Sequence, residues 1–157
     1  AKMGIMPASL FTPGRIGIIS RSGTLAYEMA GILSAADYGQ STVTGMGADP
    51  VSLTTLTNIL ELFQNDPDTG SVIIVGEVGG AQEEAAAEFI ADGMSKPVAA
   101  YIAGRFAPEG KRMGHAGAIV RGNAGTYAGK CAALKDAGAT VLETPADVVA
   151  WAKSANG

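Results

Sequence analysis

A chain of 157 residues is the ordinary length of one domain and can bury roughly two thirds of its unfolded surface. With 47% hydrophobic and 17% charged residues it is too apolar for disorder, yet no apolar stretch approaches the ~20 residues of a membrane span. A formal charge of -4 without a Lys/Arg cluster leaves no electrostatic footprint for nucleic acid or for an acidic membrane surface, so neither is expected as a partner.

In chain order, short runs rich in Ile and Val alternate with longer helical patterns. The first strand is predicted at Arg15–Ser20 and is followed by a helix over Gly23–Ala36, with Tyr38-Gly39 as its stop signal. A strand at Ser41–Met46 leads to a helix at Leu53–Asn65, and a strand at Ser71–Gly76 to a helix at Ala81–Asp92 that stops at Gly93. The last two pairs are Pro97–Ala103 with Thr126–Ala137, stopped by Gly138, and Ala139–Leu142 with Ala146–Ser154, opened by Pro145. The first and third strands are nearly continuous apolar runs, as expected of inner strands covered on both faces.

Five βα pairs without an internal repeat point to an α/β fold, a flavodoxin-like doubly wound parallel sheet of five strands in the order 2-1-3-4-5. In such a sheet, ligands bind beyond the carboxyl ends of the strands, where the winding reverses between strands 1 and 3. Three loops meet that description: Ser20–Thr24, Glu77–Gly80 and the long stretch Gly104–Gly125.

Ser20-Arg21-Ser22-Gly23-Thr24 joins a buried strand to a helix start. Hydroxyls at the N-cap, a glycine and free backbone N–H groups suit a phosphate, and a plain helix cap by Ser22 explains the same residues equally well. The only histidine, His115, is flanked by Gly114, Ala116 and Gly117, which strip steric cover from the ring so that it could meet a phosphoryl group. Long loops without structure of their own are usually functional. Glu77 follows strand 3 and is expected to fix the tautomer of His115, leaving the other ring nitrogen as nucleophile; its bland alternative is a glutamate beside a helix dipole. Arg21 is open between site and surface, whereas Arg105, Lys111 and Arg112 are expected to be solvated surface charges.

Cys131 is the only cysteine, so no disulfide framework or cysteine metal cage is expected, and a reducing, cytoplasmic setting fits, or the mitochondrial matrix for a eukaryotic source. One histidine cannot build a zinc site, and neither a G-x-S-x-G elbow nor a G-x-x-x-x-G-K-[ST] loop occurs. A nucleotide, if one supplies phosphate, is expected on another domain or subunit.

Four motifs together carry a resemblance: Lys2-Met-Gly-Ile-Met-Pro7, Gly17-Ile-Ile-Ser-Arg-Ser-Gly-Thr-Leu25, Gly76-Glu-Val-Gly-Gly80, and Lys96-Pro97 leading to Lys111-Arg-Met-Gly-His-Ala-Gly-Ala-Ile119. On these the chain resembles the second, CoA-ligase domain of the α subunit of the succinyl-CoA synthetases, the NDP-forming acyl-CoA ligases of the tricarboxylic acid cycle. The resemblance implies that His115 takes a phosphoryl group from ATP or GTP, held with Mg, and passes it to a small dicarboxylic acid. Coenzyme A then displaces phosphate from the acyl phosphate. It further implies that Glu77 orients His115, that Ser20, Ser22, Gly23 and Thr24 open the helix whose N-terminus holds the phosphoryl group, and that Arg21 approaches the substrate carboxylate. The implied partners are an ATP-grasp β subunit and an N-terminal coenzyme A-binding domain; residues 1–13 are then expected to be the linker from that domain, and the chain alone is expected not to turn over. A departure from the family pattern lies at Gly47-Ala48-Asp49-Pro50, where Gly-Gly-Asp-Pro is usual, running into Val51–Leu56. The alternative expectation is a non-catalytic module, either a flavodoxin-type FMN or phosphate binder or a subunit-assembly domain with an idle His115.

Overall fold

A computed structural model describes residues 3, 5–49, 51–120 and 125–155. Its strands are β1 (Pro13–Ser20), β2 (Gln40–Gly45), β3 (Ser71–Glu77), β4 (Val98–Ala103) and β5 (Thr140–Leu142). They form one all-parallel sheet in the order β2-β1-β3-β4-β5, as the βα alternation predicts. The helices are α1 (Gly23–Ala35), α2 (Leu56–Asn65), α3 (Gln82–Ala91), α4 (Tyr127–Asp136) and α5 (Val148–Ala155).

β3 is buried along its whole length, and its side chains alternate between two apolar layers, the period of a strand covered on both faces. Val72 and Ile74 pack with Leu60 and Phe63 of α2, Ala86 and Ile90 of α3 and Leu134 of α4. Ile73 and Val75 pack on the other face with Met29 and Leu33 of α1 and with Val148 and Trp151 of α5. Among the described residues no helix is long and apolar enough to cross a membrane.

Element ends shift from expectation by up to three residues, and two of the departures have clear local reasons. The second helix starts at Leu56 rather than Leu53, because Thr55 caps it: its Oγ1 accepts from the Asn58 N–H at 3.2 Å while Asn58 Oδ1 accepts from the Thr55 N–H at 3.1 Å. Leu53 is left fully exposed. At the end of α1 the left-handed residue is Asp37, with φ 63°, and not Gly39. Gly39 serves close approach instead, since a Cβ there would lie 2.0 Å from the Pro13 carbonyl oxygen.

The order β2-β1-β3 puts the winding reversal between β1 and β3. There Ser20 pairs with Val75, and the Arg21 N–H donates to the Val75 carbonyl at 2.9 Å. The loops after these two strands therefore leave the sheet side by side.

Candidate active site

His115 lies in a tight turn closed by the Ala118 N–H on its own carbonyl at 3.2 Å, inside a wider loop held by the Met113 N–H on the Ala118 carbonyl at 3.0 Å. Gly114 has φ 87°, a conformation that costs a side-chain-bearing residue about 1–2 kcal/mol. The loop is seated on the glycines after β3. A Cβ on Gly79 would lie 2.3 Å from the Gly117 carbonyl oxygen and 2.5 Å from the Ile119 nitrogen, so only glycine lets the two backbones meet. From the other side the Gly117 N–H donates to the Ala48 carbonyl at 2.9 Å, so the Gly47–Asp49 segment touches the histidine loop. Pro50 of that motif, like Lys2 and Gly4 of the first motif and residues 121–124 of the long loop, falls outside the described residues.

Nδ1 of His115 lies 2.6 Å from Oε2 of Glu77, while the imidazole side chain is 42% exposed and the glutamate side chain 9%. A carboxylate only accepts, so the neutral ring carries its proton on Nδ1 and keeps the lone pair on Nε2. The helix-dipole alternative for Glu77 does not describe this geometry. It is Glu83 and Glu84 that occupy the first turn of α3.

Behind Glu77 the charges continue inward. Arg21 is buried, and its Nη2 lies 3.2 Å from Glu77 Oε1, a charge contact whose angle falls short of a hydrogen bond and leaves that buried oxygen without one. Its Nη1 donates to Glu83 Oε1 at 2.9 Å and to the carbonyls of Gly79 at 3.1 Å and Glu77 at 3.3 Å. Glu83 in turn accepts from Lys130, and Lys130 also donates to Glu84 Oε2 at 2.9 Å and to the Gly80 carbonyl at 3.1 Å. Both Glu83 and Lys130 are fully buried. Burial pushes the Glu83 carboxyl up, but Lys130 and Arg21 beside it outweigh that effect and hold it below the usual carboxylate range.

Ser22 is the N-cap of α1, its Oγ accepting from the Leu25 N–H at 3.4 Å, and Ser20 Oγ donates to the Ser22 carbonyl at 2.6 Å and accepts from the Ser22 N–H at 3.1 Å. The capping role is thus filled. Gly23 and Thr24 lie in the first turn, where backbone N–H groups have no helical partner. Arg105, Lys111 and Arg112 are exposed as expected, with Arg105 bound to Glu143 at 2.6 Å; Ala116 is exposed as well. Trp151 is buried under α1, on the face opposite α2, α3 and α4. No group of three His, Cys, Asp or Glu side chains among the described residues is arranged to hold a metal ion.

The residues missed in the sequence are Glu83 and Lys130. A signal for Glu83 exists in Gly76, a glycine inside an otherwise apolar inner strand. A Cβ there would lie 2.7 Å from Glu83 Oε1.

The family model described as CoA-ligase matches residues 19–152. Among relatives, the "Succinate--CoA ligase [ADP-forming] subunit alpha 1" of Archaeoglobus fulgidus is 55% identical over 95% of this chain and 51% of its own length. The corresponding subunit alpha of Aquifex aeolicus is 53% identical over 94% of this chain and 48% of its own length, so the chain spans about half of these relatives. Among solved structures, an ATP citrate lyase of Methanosaeta concilii in complex with (3S)-citryl-CoA superposes with a TM-score of 0.84 at 25% identity, covering 92% of this chain and 24% of the other. A dinucleotide forming acetyl-coenzyme A synthetase 1 of Ca. Korarchaeum cryptofilum shares the fold, with a TM-score of 0.69 at 24% identity, covering 90% of this chain and 30% of the other. A family match over most of the chain and half-identical relatives leave one assignment: the chain belongs to the CoA-ligase family.

Proposed function

We propose that this chain is the phosphohistidine domain of an NDP-forming, succinate-CoA ligase-type enzyme, and that His115 carries the phosphoryl group. The observation that carries the reading is the His115–Glu77 pair at 2.6 Å on a half-exposed ring. Nε2 attacks the γ-phosphorus of ATP or GTP, an N–P bond forms, the bond to the bridging oxygen breaks and the nucleoside diphosphate leaves. The ring is then an N-phosphorylated imidazolium with its proton still on Nδ1, and the Glu77 carboxylate faces that new positive charge. A carboxylate oxygen of the acid next attacks phosphorus, the N–P bond breaks and an acyl phosphate results. The coenzyme A thiolate attacks the acyl carbon and releases inorganic phosphate.

The domain's own part in this sequence is the nucleophile and its surroundings. The N–H groups at Gly23 and Thr24, which as first-turn groups have no helical acceptor, and the dipole of α1 supply a site for the phosphoryl dianion, with Ser20 and Ser22 holding that turn. Arg21 anchors Glu77. The nucleotide with its Mg, and coenzyme A, are assigned to an ATP-grasp partner subunit and to an N-terminal domain of the full-length protein, which the residues before β1 would join; the expected linker of residues 1–13 is shortened because Pro13 already belongs to β1.

The test uses the full-length enzyme assembled with its partner subunit and given γ-labelled ATP or GTP. An acid-labile, base-stable phosphate should appear on this chain and be lost in His115→Asn. A correctly assembled complex that turns over without such a label, or that keeps the label in His115→Asn, rules the reading out.

A further inference from the structure

Lys130 is the largest fully buried side chain among the described residues, and it is charged. It stands in the first turn of α4, where the helix dipole disfavours a cation, and an apolar side chain of similar size would fill the same space between α3 and α4 with less desolvation. Packing alone does not account for it. What it does is terminate a line of alternating charges that ends on the reactive ring: Lys130 to Glu83, Glu83 Oε1 to Arg21 at 2.9 Å, Arg21 to Glu77 Oε1 at 3.2 Å, Glu77 Oε2 to His115 at 2.6 Å.

We propose that Glu83 and Lys130 are positioning residues for His115, acting through Arg21 and the Glu77 backbone to fix the rotation of the Glu77 carboxylate. Glu83 Oε1 accepts from both Arg21 Nη1 and, at 3.1 Å, the backbone N–H of Glu77, so one carboxylate locates the base of the Glu77 side chain and the cation facing its tip. The last torsion of a glutamate is broad and roughly two-fold. Among the described residues Glu77 Oε1 has no aligned hydrogen bond of its own, and Arg21 is the cation facing it, so Arg21 is what selects the orientation that sends Oε2 to Nδ1. Lys130, held on Glu84 and the Gly80 carbonyl, keeps Glu83 from turning away. The consequence is chemical: with Nδ1 occupied, the ring offers only Nε2 to phosphorus.

This inference rests on His115 as phosphoryl acceptor, yet its test reads the ring directly. The two ring-nitrogen signals of His115 are identified in the full-length protein labelled with ¹⁵N-histidine as the pair lost in His115→Asn. They are recorded about 2 pH units above the ordinary imidazole value of ~6.5 for the wild type, Glu83→Gln, Lys130→Met and Lys130→Arg. Phosphorylation by phosphoramidate, a small donor that needs no partner subunit, is timed on the same samples. The wild type should show one tautomer, with the proton on Nδ1, and form only the Nε2 phosphohistidine. Glu83→Gln and Lys130→Met should show mixed tautomers, yield the Nδ1 isomer as well and react about tenfold more slowly, the low end of what loss of an outer partner costs at oriented, metal-ligating histidines. Lys130→Arg should restore the single tautomer. Thermal melts establish folding. Where Glu83→Gln does not fold, Lys130→Met and the double variant, in which no lone charge stays buried between the helices, decide by the same readouts. Folded variants with the wild-type tautomer and rate overturn the proposal, whatever their melting temperature. A wild type that takes no phosphate while its variants lose the tautomer would defeat the phosphoryl reading and leave the positioning intact.

Discussion

Replacing Gly79 by alanine separates the seating of the histidine loop from simple backbone strain. The new Cβ would lie 2.3 Å from the Gly117 carbonyl oxygen and 2.5 Å from the Ile119 nitrogen, where ordinary contact begins at 3.4 Å. The neighbour is backbone and cannot rotate away, so the loop must move by about 1 Å, and a misplacement of that size is enough to cost about 100-fold in rate. The left-handed φ of 87° adds roughly 1–2 kcal/mol of strain, a few degrees in melting temperature for a domain of this size. Gly80→Ala is the control. Its φ is 66°, so it bears similar strain, but nothing lies within 4 Å of its Cβ. Single-turnover formation of phosphohistidine in the assembled full-length enzyme should fall about 100-fold in Gly79→Ala and by less than about threefold in Gly80→Ala, which carries the backbone strain without the clash. Equal rates in the two variants would refute the argument that Gly79 seats the histidine loop.

Other outcomes follow from the same geometry. Glu77→Gln should slow phosphohistidine formation by tenfold or more, because it removes the charge facing both Arg21 and the imidazolium; stopped assays on the assembled enzyme read this. Lys130→Ala leaves Glu83 buried without its principal cation and should cost about 3–5 kcal/mol by urea unfolding, whereas Arg105→Ala breaks an exposed pair and should cost less than about 1 kcal/mol. Glu83 has its folded pKa depressed below the ordinary 4.5, so its contribution is present above that value and is lost as pH falls through the folded one. Stability measured below about pH 4.5 should therefore fall less steeply in Glu83→Gln than in the wild type.

Much of this arrangement is legible in the sequence because it depends on local rules. The apolar runs of β1 and β3 identify inner strands, their alternation with helices gives the sheet order, and the order places the loops after β1 and β3 together. His115 and Glu77 stand out because each lies in a glycine-flanked segment at the sheet's carboxyl edge, and the structure brings their side chains to 2.6 Å. Glu83 and Lys130 were hidden because on a helix a Glu or Lys reads as a solvated face. Their burial depends on how α3 and α4 pack, which no local pattern states. Arg21 was ambiguous for the same reason, since only the arrival of Glu77 and Glu83 from another βα unit makes it an interior residue. The helix starts at Leu56 because cap chemistry wins locally, with Thr55 and Asn58 overriding an apolar run that begins at Leu53.

The central claim is that phosphate passes through His115 on the way to the thioester, and a chase experiment tests it most directly. The assembled full-length enzyme is phosphorylated with labelled nucleotide, freed of nucleotide, and given succinate and coenzyme A together. The label should leave His115 as inorganic phosphate within one turnover, with one thioester formed per label lost. Thioester formed while the label stays on His115, or label lost to water without thioester, would contradict it.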